Sequence, residues 1–209
     1  RKIWESFSND GLMSRYEHGD RSQKRLIAEI LMDRQIATGW TPSTTPGVLP
    51  PPPLNAVIPE EIAKSLNLDW PVTPAKGLTA FFHDTGYATV FGVDHYAVDI
   101  RANHGSPIYA PADGVVYNVI YDPTSNSYAY IMVAHRMGVM TLYGHVSEVA
   151  VKVGDYVSRG QILGATGATP GTVGSGYRTT GPHLHFEVWQ DGVRVDPLQY
   201  MRLEEVPLD

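Results

Sequence analysis

Histidine and carboxylate side chains alternate with apolar ones at several places in this chain, at spacings that suit a metal ion. His95 and Asp99 stand four apart in DHYAVDI. In an extended strand, residues two or four apart share a face, so both can aim at one ion. In GPHLHFEVW, His183 and His185 alternate with Leu184 and Phe186. Both imidazoles then face one way and the apolar pair the other, as in a strand that lines a cleft while its back covers a core. TLYGHV offers His145, and VAHRMG offers His135 with the same standing. Each of these alone could be a solvated polar pair or a core-edge histidine bonded to a backbone carbonyl. Together, separate β-type segments that each carry a histidine fit a catalytic zinc, which takes three protein ligands and keeps one position open. The chain has no cysteine, so a zinc site must be built from His, Asp or Glu. Spacing alone leaves open which member of the His183–His185 pair would bind.

The elements that must position these residues change character near residue 69. Before it, residues 21–38 have the periodicity of an amphipathic helix, with Leu26, Ile27, Ile30 and Leu31 on one face. TPSTTPGVLPPPP at 41–53 excludes both helix and central strand and is expected to form an extended strap or linker. IPEEIAKSL at 58–66 fits a short helix with Pro59 in its first turn. From Trp70 onward, short runs such as GVVYNVIY, YAYIMVAH and GVRVDP are each bounded by Gly, Pro, Asn or Asp. That pattern predicts a mainly β domain of antiparallel strands, a sandwich or a partly open barrel. The expected division is therefore an N-terminal helical and proline-rich segment, 1–69, and a β domain, 70–209. The N-terminal segment is too small for a large core of its own; it is expected either to dock on the β domain and restrain access to its groove, or to act as a spacer. Glycines at 154, 160, 164 and 167 lack the spacing of a phosphate loop and mark tight turns instead.

Composition narrows the function. A formal net charge of -6 leaves no basic surplus to neutralise phosphates, so no nucleic-acid partner is expected. Thiolate zinc fingers and cysteine nucleophiles are excluded by the missing cysteine. An apolar share of 43% can bury a core without disulfides, and no apolar run approaches the roughly 20 residues of a membrane-spanning helix. Because the chain opens on Arg1, it is expected to be a processed piece, with any export signal or membrane anchor upstream.

From Trp70 to Tyr200 the chain resembles the LytM/lysostaphin-type zinc endopeptidases, the M23 group. The resemblance rests on His95-x-x-x-Asp99, APADGVV at 110–116, TLYGHV, VKVGDYVSRGQILGATG at 151–167, GPHLHFEV at 181–188 and the closing VDPLQY, all in the family's order. Carried over by position, it implies that His95, Asp99 and His185 bind Zn2+ and that His145 and His183 are uncoordinated catalytic histidines. It further implies an antiparallel β-sheet core with a groove over the metal, peptidoglycan peptides as substrate, and a place in the bacterial cell envelope, with envelope proteins as partners through the N-terminal segment. Some relatives of this kind are non-catalytic regulators that activate a wall amidase; the intact set of five residues favours the enzyme. The segment between Gly167 and Gly181 departs from the pattern by its length, and its composition suggests a mobile loop beside the groove, with Tyr177 and Arg178 facing substrate or solvent.

Overall fold

Alternation along one strand decides which way the domain faces. The computed structural model describes residues 66–74 and 76–201. The helix expected at 21–38, the strap at 41–53 and nearly all of the helix expected at 58–66 lie outside them. Strand β10 (His183–Gln190) is the longest element among the described residues. Its Leu184, Phe186 and Val188 are fully buried on one face, while His183, His185, Glu187 and Trp189 take the other. Each fully buried apolar side chain of this size stabilises the fold by about 1.5–3 kcal/mol. A one-residue slip of β10 would exchange the two sets, so core burial itself holds the histidines in register.

Two further strands flank β10. Strand β2 (Val98–Arg101) pairs antiparallel with it, placing His185 opposite Asp99 and His183 opposite Arg101. Strand β6 (Val139–Gly144) pairs along its other edge, from His185 opposite Gly144 to Gln190 opposite Val139. The sheet extends outward through β1 (Leu78–Ala80) beyond β2, and through β5 (Tyr130–Ala134), β4 (Gly114–Ile120) and β8 (Tyr156–Val157) beyond β6. Strand β11 (Val193–Val195) returns onto β10 through a two-residue Asp191–Gly192 turn. Both turn residues have positive φ, the requirement that makes Asp-Gly a hairpin signal. A smaller sheet of β3 (Pro107–Tyr109), β9 (Ile162–Thr166) and β7 (Val146–Val149) supplies Ile108, Leu163 and Val146 to the same core as Ile100, Leu184 and Phe186. The expected mainly β, antiparallel domain is thus realised as two sheets sharing one core. That core includes residues ahead of Trp70: Leu68 is fully buried and bridges to Met201.

One short helix, α1 (Thr85–Phe91), was not expected from the sequence. Asp84 caps it by accepting from the Tyr87 N–H at 3.0 Å, and Gly92 closes it in the left-handed conformation. These two caps frame only two turns, too short a span for a periodic apolar pattern to declare itself.

Candidate metal centre and active site

His95, Asp99 and His185 come from two strand regions and converge on one point. Asp99 and His185 face each other across the β2–β10 pair. His95 lies in the irregular lead-in to β2 rather than on the strand, which corrects the expectation that it shares a strand face with Asp99. It reaches the site because its Nδ1–H donates to the Phe81 carbonyl at 2.8 Å and its ring stacks on Tyr87, 4.1 Å between centroids. Helix α1 therefore positions a ligand candidate through Tyr87, and Asp84 holds that helix in place.

The three inward atoms form a small triangle. His95 Nε2 lies 3.2 Å from Asp99 Oδ1, His185 Nδ1 lies 3.0 Å from the same oxygen, and the two nitrogens are 3.3 Å apart. Zinc bound at about 2.0–2.1 Å in a tetrahedron separates its ligands by about 3.3 Å, so the residues fit the ion. Hydrogen bonding on the far side of each ring points the same way. His95 Nδ1–H is held by the Phe81 carbonyl and His185 Nε2–H by Glu187 Oε1 at 3.2 Å, which turns a nitrogen lone pair of each ring toward Asp99. Three acceptor atoms facing one another in a buried place demand a positive charge between them. The same demand shows in the titration of His185. Burial disfavours its charged form, yet hydrogen bonds to Asp99 and Glu187 outweigh burial and raise it to about 9. Burial pushes the Asp99 carboxyl upward, but hydrogen bonds from His185 and His95 override it and hold the group far below the usual carboxylate range.

His145 and His183 stand beside this triangle without joining it. His145 follows β6 in a left-handed conformation, and its Nδ1–H donates to the Ser175 carbonyl at 2.7 Å. His183 Nδ1–H donates to the Gly181 carbonyl at 2.8 Å, and its Nε2 has no hydrogen-bond partner among the described residues, lying 3.6 Å from Asp99 Oδ2. The two rings meet edge to face, 4.7 Å between centroids. Each thus keeps Nε2 as a proton acceptor. Burial lowers the pKa of both, and the neighbouring His183 and His185 add to the effect at His145, which falls to about 3. Both rings are neutral near pH 7. His135 does not belong here: it is buried beneath β4, bonded to the Asp113 carbonyl and to Thr141, and satisfies the core.

Beyond the triangle, Glu187 ties the site to the sheet. It is buried, accepts from Trp189 Nε1 and Arg194 Nε at 2.8 Å each, and receives the His185 Nε2–H. Arg194 in turn lies over the Trp189 ring, 4.4 Å from its centroid. Removing such a partner typically costs 10–100-fold in metal affinity. Glu187→Ala should therefore weaken metal binding by roughly that factor, with Glu187→Gln in between, measured by competition with a chelator. Unchanged affinity in both variants would deny Glu187 this role.

A groove of about 780 Å³ opens over the triangle, walled by Tyr87, Tyr96, Tyr128, Tyr177, Arg178 and Arg194. Tyr128 packs edge-on against His145 and His185 and fits over Gly144, where a Cβ would strike its hydroxyl. The Gly167–Gly181 segment, expected to be a mobile loop, is anchored at its middle. Residues 174–176 are buried, and the N–H groups of Gly174 and Gly176 donate to the carbonyls of Ser125 and Asn126. Only glycine suits position 174, where φ is +69° and a Cβ would collide with the Val146 carbonyl. That anchoring holds the Ser175 carbonyl against His145. Tyr177 and Arg178 remain exposed at the groove wall, as the sequence left open. Sequence reasoning missed Glu187, Tyr87, Tyr128 and Arg194; extending the His183–His185 alternation by two residues would have found Glu187.

The profile of peptidase family M23 matches residues 93–197. Among curated relatives, the chain is 37% identical over 103 residues to the peptidoglycan DD-endopeptidase ShyC of Vibrio cholerae, covering 49% of this chain and 22% of that protein. It thus spans about a fifth of the length of the curated relatives it matches. Among solved structures, a zinc-containing peptidase from Vibrio cholerae superposes with a TM-score of 0.53 at 30% identity, covering 68% of this chain and 41% of the other. The SpoIIQ–SpoIIIAH pore-forming complex gives 0.52 at 25% identity, covering 65% of this chain and 90% of the other.

Proposed function

The chain belongs to peptidase family M23, and from that premise we propose that it is a zinc-dependent endopeptidase that hydrolyses peptide bonds in bacterial peptidoglycan, at stem-peptide cross-links or bridges, within the cell envelope. One observation carries the reading: the three acceptor atoms of His95, Asp99 and His185 sit at zinc-ligand spacing, with the acceptor nitrogens of His145 and His183 beside them in the same groove. When bound, zinc supplies a Lewis acid that polarises a carbonyl and makes a water acidic enough to attack near neutral pH. His145 and His183, neutral and fixed at Nδ1, are placed to take the water's proton at Nε2 and return it to the leaving amine. Once protonated, either ring can donate to the oxyanion. The tyrosines along the groove offer a bound peptide flat apolar surface to lie against.

A binding-only role, a regulator that activates a wall amidase, is the rival. The likeness to a chain that works in a pore-forming complex keeps it in view. The complete five-residue site supports the enzyme. Digestion of purified peptidoglycans that differ in cross-bridge chemistry, followed by mass analysis, tests the choice. New amino termini at one bond type are expected from the zinc-loaded chain; stimulation of a separate amidase without any peptide cleavage would favour the regulator.

A further inference from the structure

A second recess, about 410 Å³, opens beside His183 and is lined by Lys76, Arg101 and His104, with no acidic side chain among the described residues of its walls. Its position follows from strand register. Arg101 stands two residues beyond Asp99 on β2, on the same face, and directly opposite His183 of β10. Two residues of strand span about 6.6 Å, the reach of two residues of an extended peptide lying in the groove. Among the described residues Arg101 has no acidic partner, and it is exposed. Lys76 Nζ is held over the recess by Asn103 Oδ1 at 2.5 Å, a neutral partner, and no acidic side chain among the described residues compensates its charge. His104 is fixed on the rim through Thr169 Oγ1 at 3.1 Å. In a chain whose formal net charge is -6, this cationic spot is local, and it adjoins a main groove that carries Asp94 and Glu187.

We infer that Arg101 and Lys76 form a carboxylate-binding subsite, which selects peptides carrying a free carboxylate one or two residues from the cut bond. The inference rests on the peptidase reading and names the substrate chemistry that this site prefers. A planar guanidinium on a rigid strand matches a carboxylate in two parallel hydrogen bonds, and the lysine ammonium adds a second positive charge from the neighbouring segment. Substrate held there would lie across His183 with its next bonds directed over the metal triangle.

The test uses the full chain. Zinc-loaded protein is given cross-linked peptide dimers that are identical except for free or amidated carboxylates. A preference of about tenfold in kcat/KM for the free acid is expected, residing mainly in KM, since a charge-assisted bidentate contact is worth at least that factor. Arg101→Gln and Lys76→Gln should each shrink the preference, the double variant should bring it near one, and Arg101→Lys should restore part of it. Equal cleavage of the two dimers by the parent chain, or a full preference surviving in the double variant, overturns the subsite. Calorimetry with metal-free protein and a tetrapeptide forms the second arm, with the peptide offered as free acid, as side-chain amide or as C-terminal amide. Whichever amidation weakens binding about tenfold identifies the carboxylate, and equal binding of all three also overturns the subsite. Because binding needs no cleavage, a chain that cut nothing would defeat the peptidase reading while the carboxylate preference still stood or fell on the calorimetry.

Discussion

Replacing His95, Asp99 or His185 with alanine should abolish both zinc retention and peptide hydrolysis. Structural zinc sites bind with about 10–16 kcal/mol over four ligands, so losing one removes roughly 3 kcal/mol, more than a hundredfold in affinity. No other group replaces the missing ligand: His183 Nε2 lies 3.6 Å from Asp99 Oδ2 but its ring is fixed by the Gly181 carbonyl, and His145 is fixed by Ser175. Asp99→Ala should be the most severe of the three. It removes the sole carboxylate of the triangle and with it the partner of His95 Nε2 and His185 Nδ1. Elemental analysis after dialysis, with circular dichroism to confirm folding, measures this. Full zinc occupancy in all three folded variants would remove the ligand assignment.

His145→Ala and His183→Ala should behave in the opposite way toward metal. Neither ring belongs to the triangle, so zinc content should stay near one per chain. Hydrolysis should fall by at least about a hundredfold, because a positioned proton-transfer group contributes about 10²–10⁴ in rate. The loss should appear chiefly in kcat, the signature of an interaction made in the transition state rather than on binding. The double variant should lose little more than the worse single one if the two rings act on one proton path. Activity within threefold of the parent in both single variants would exclude them from catalysis.

Much of this site was legible because strand periodicity is simple. The alternation in HLHFEV places His183 and His185 on the face opposite Leu184 and Phe186, and the structure shows that division. Spacing could not choose between the two histidines. Pairing separates them: His185 lies opposite Asp99 and His183 opposite Arg101, and register between residues 82 or more positions apart is a tertiary property. His135 and His145 looked alike for the same reason. One is buried under a hairpin and the other is turned into the groove by a left-handed backbone and the Ser175 carbonyl. The walls were the least legible. Tyr87 reaches His95 only because Asp84 and Gly92 cap a helix of seven residues, and Tyr128 reaches the site only because Gly144 leaves it room. Both depend on contacts that no local pattern encodes.

On the proposed reading, one ion in the His95–Asp99–His185 triangle, served by His145 and His183, makes this chain a peptidoglycan endopeptidase. Titrating zinc into metal-free protein while following release of cross-link fragments from purified peptidoglycan tests it most directly. Cleavage should be absent without metal and rise in proportion to added zinc, and it should level off at one equivalent per chain. His145→Ala should bind the same equivalent while releasing almost nothing. Cleavage that persists in the metal-free protein, or a fully zinc-loaded chain that releases no fragment from any cross-bridge type, would contradict the account.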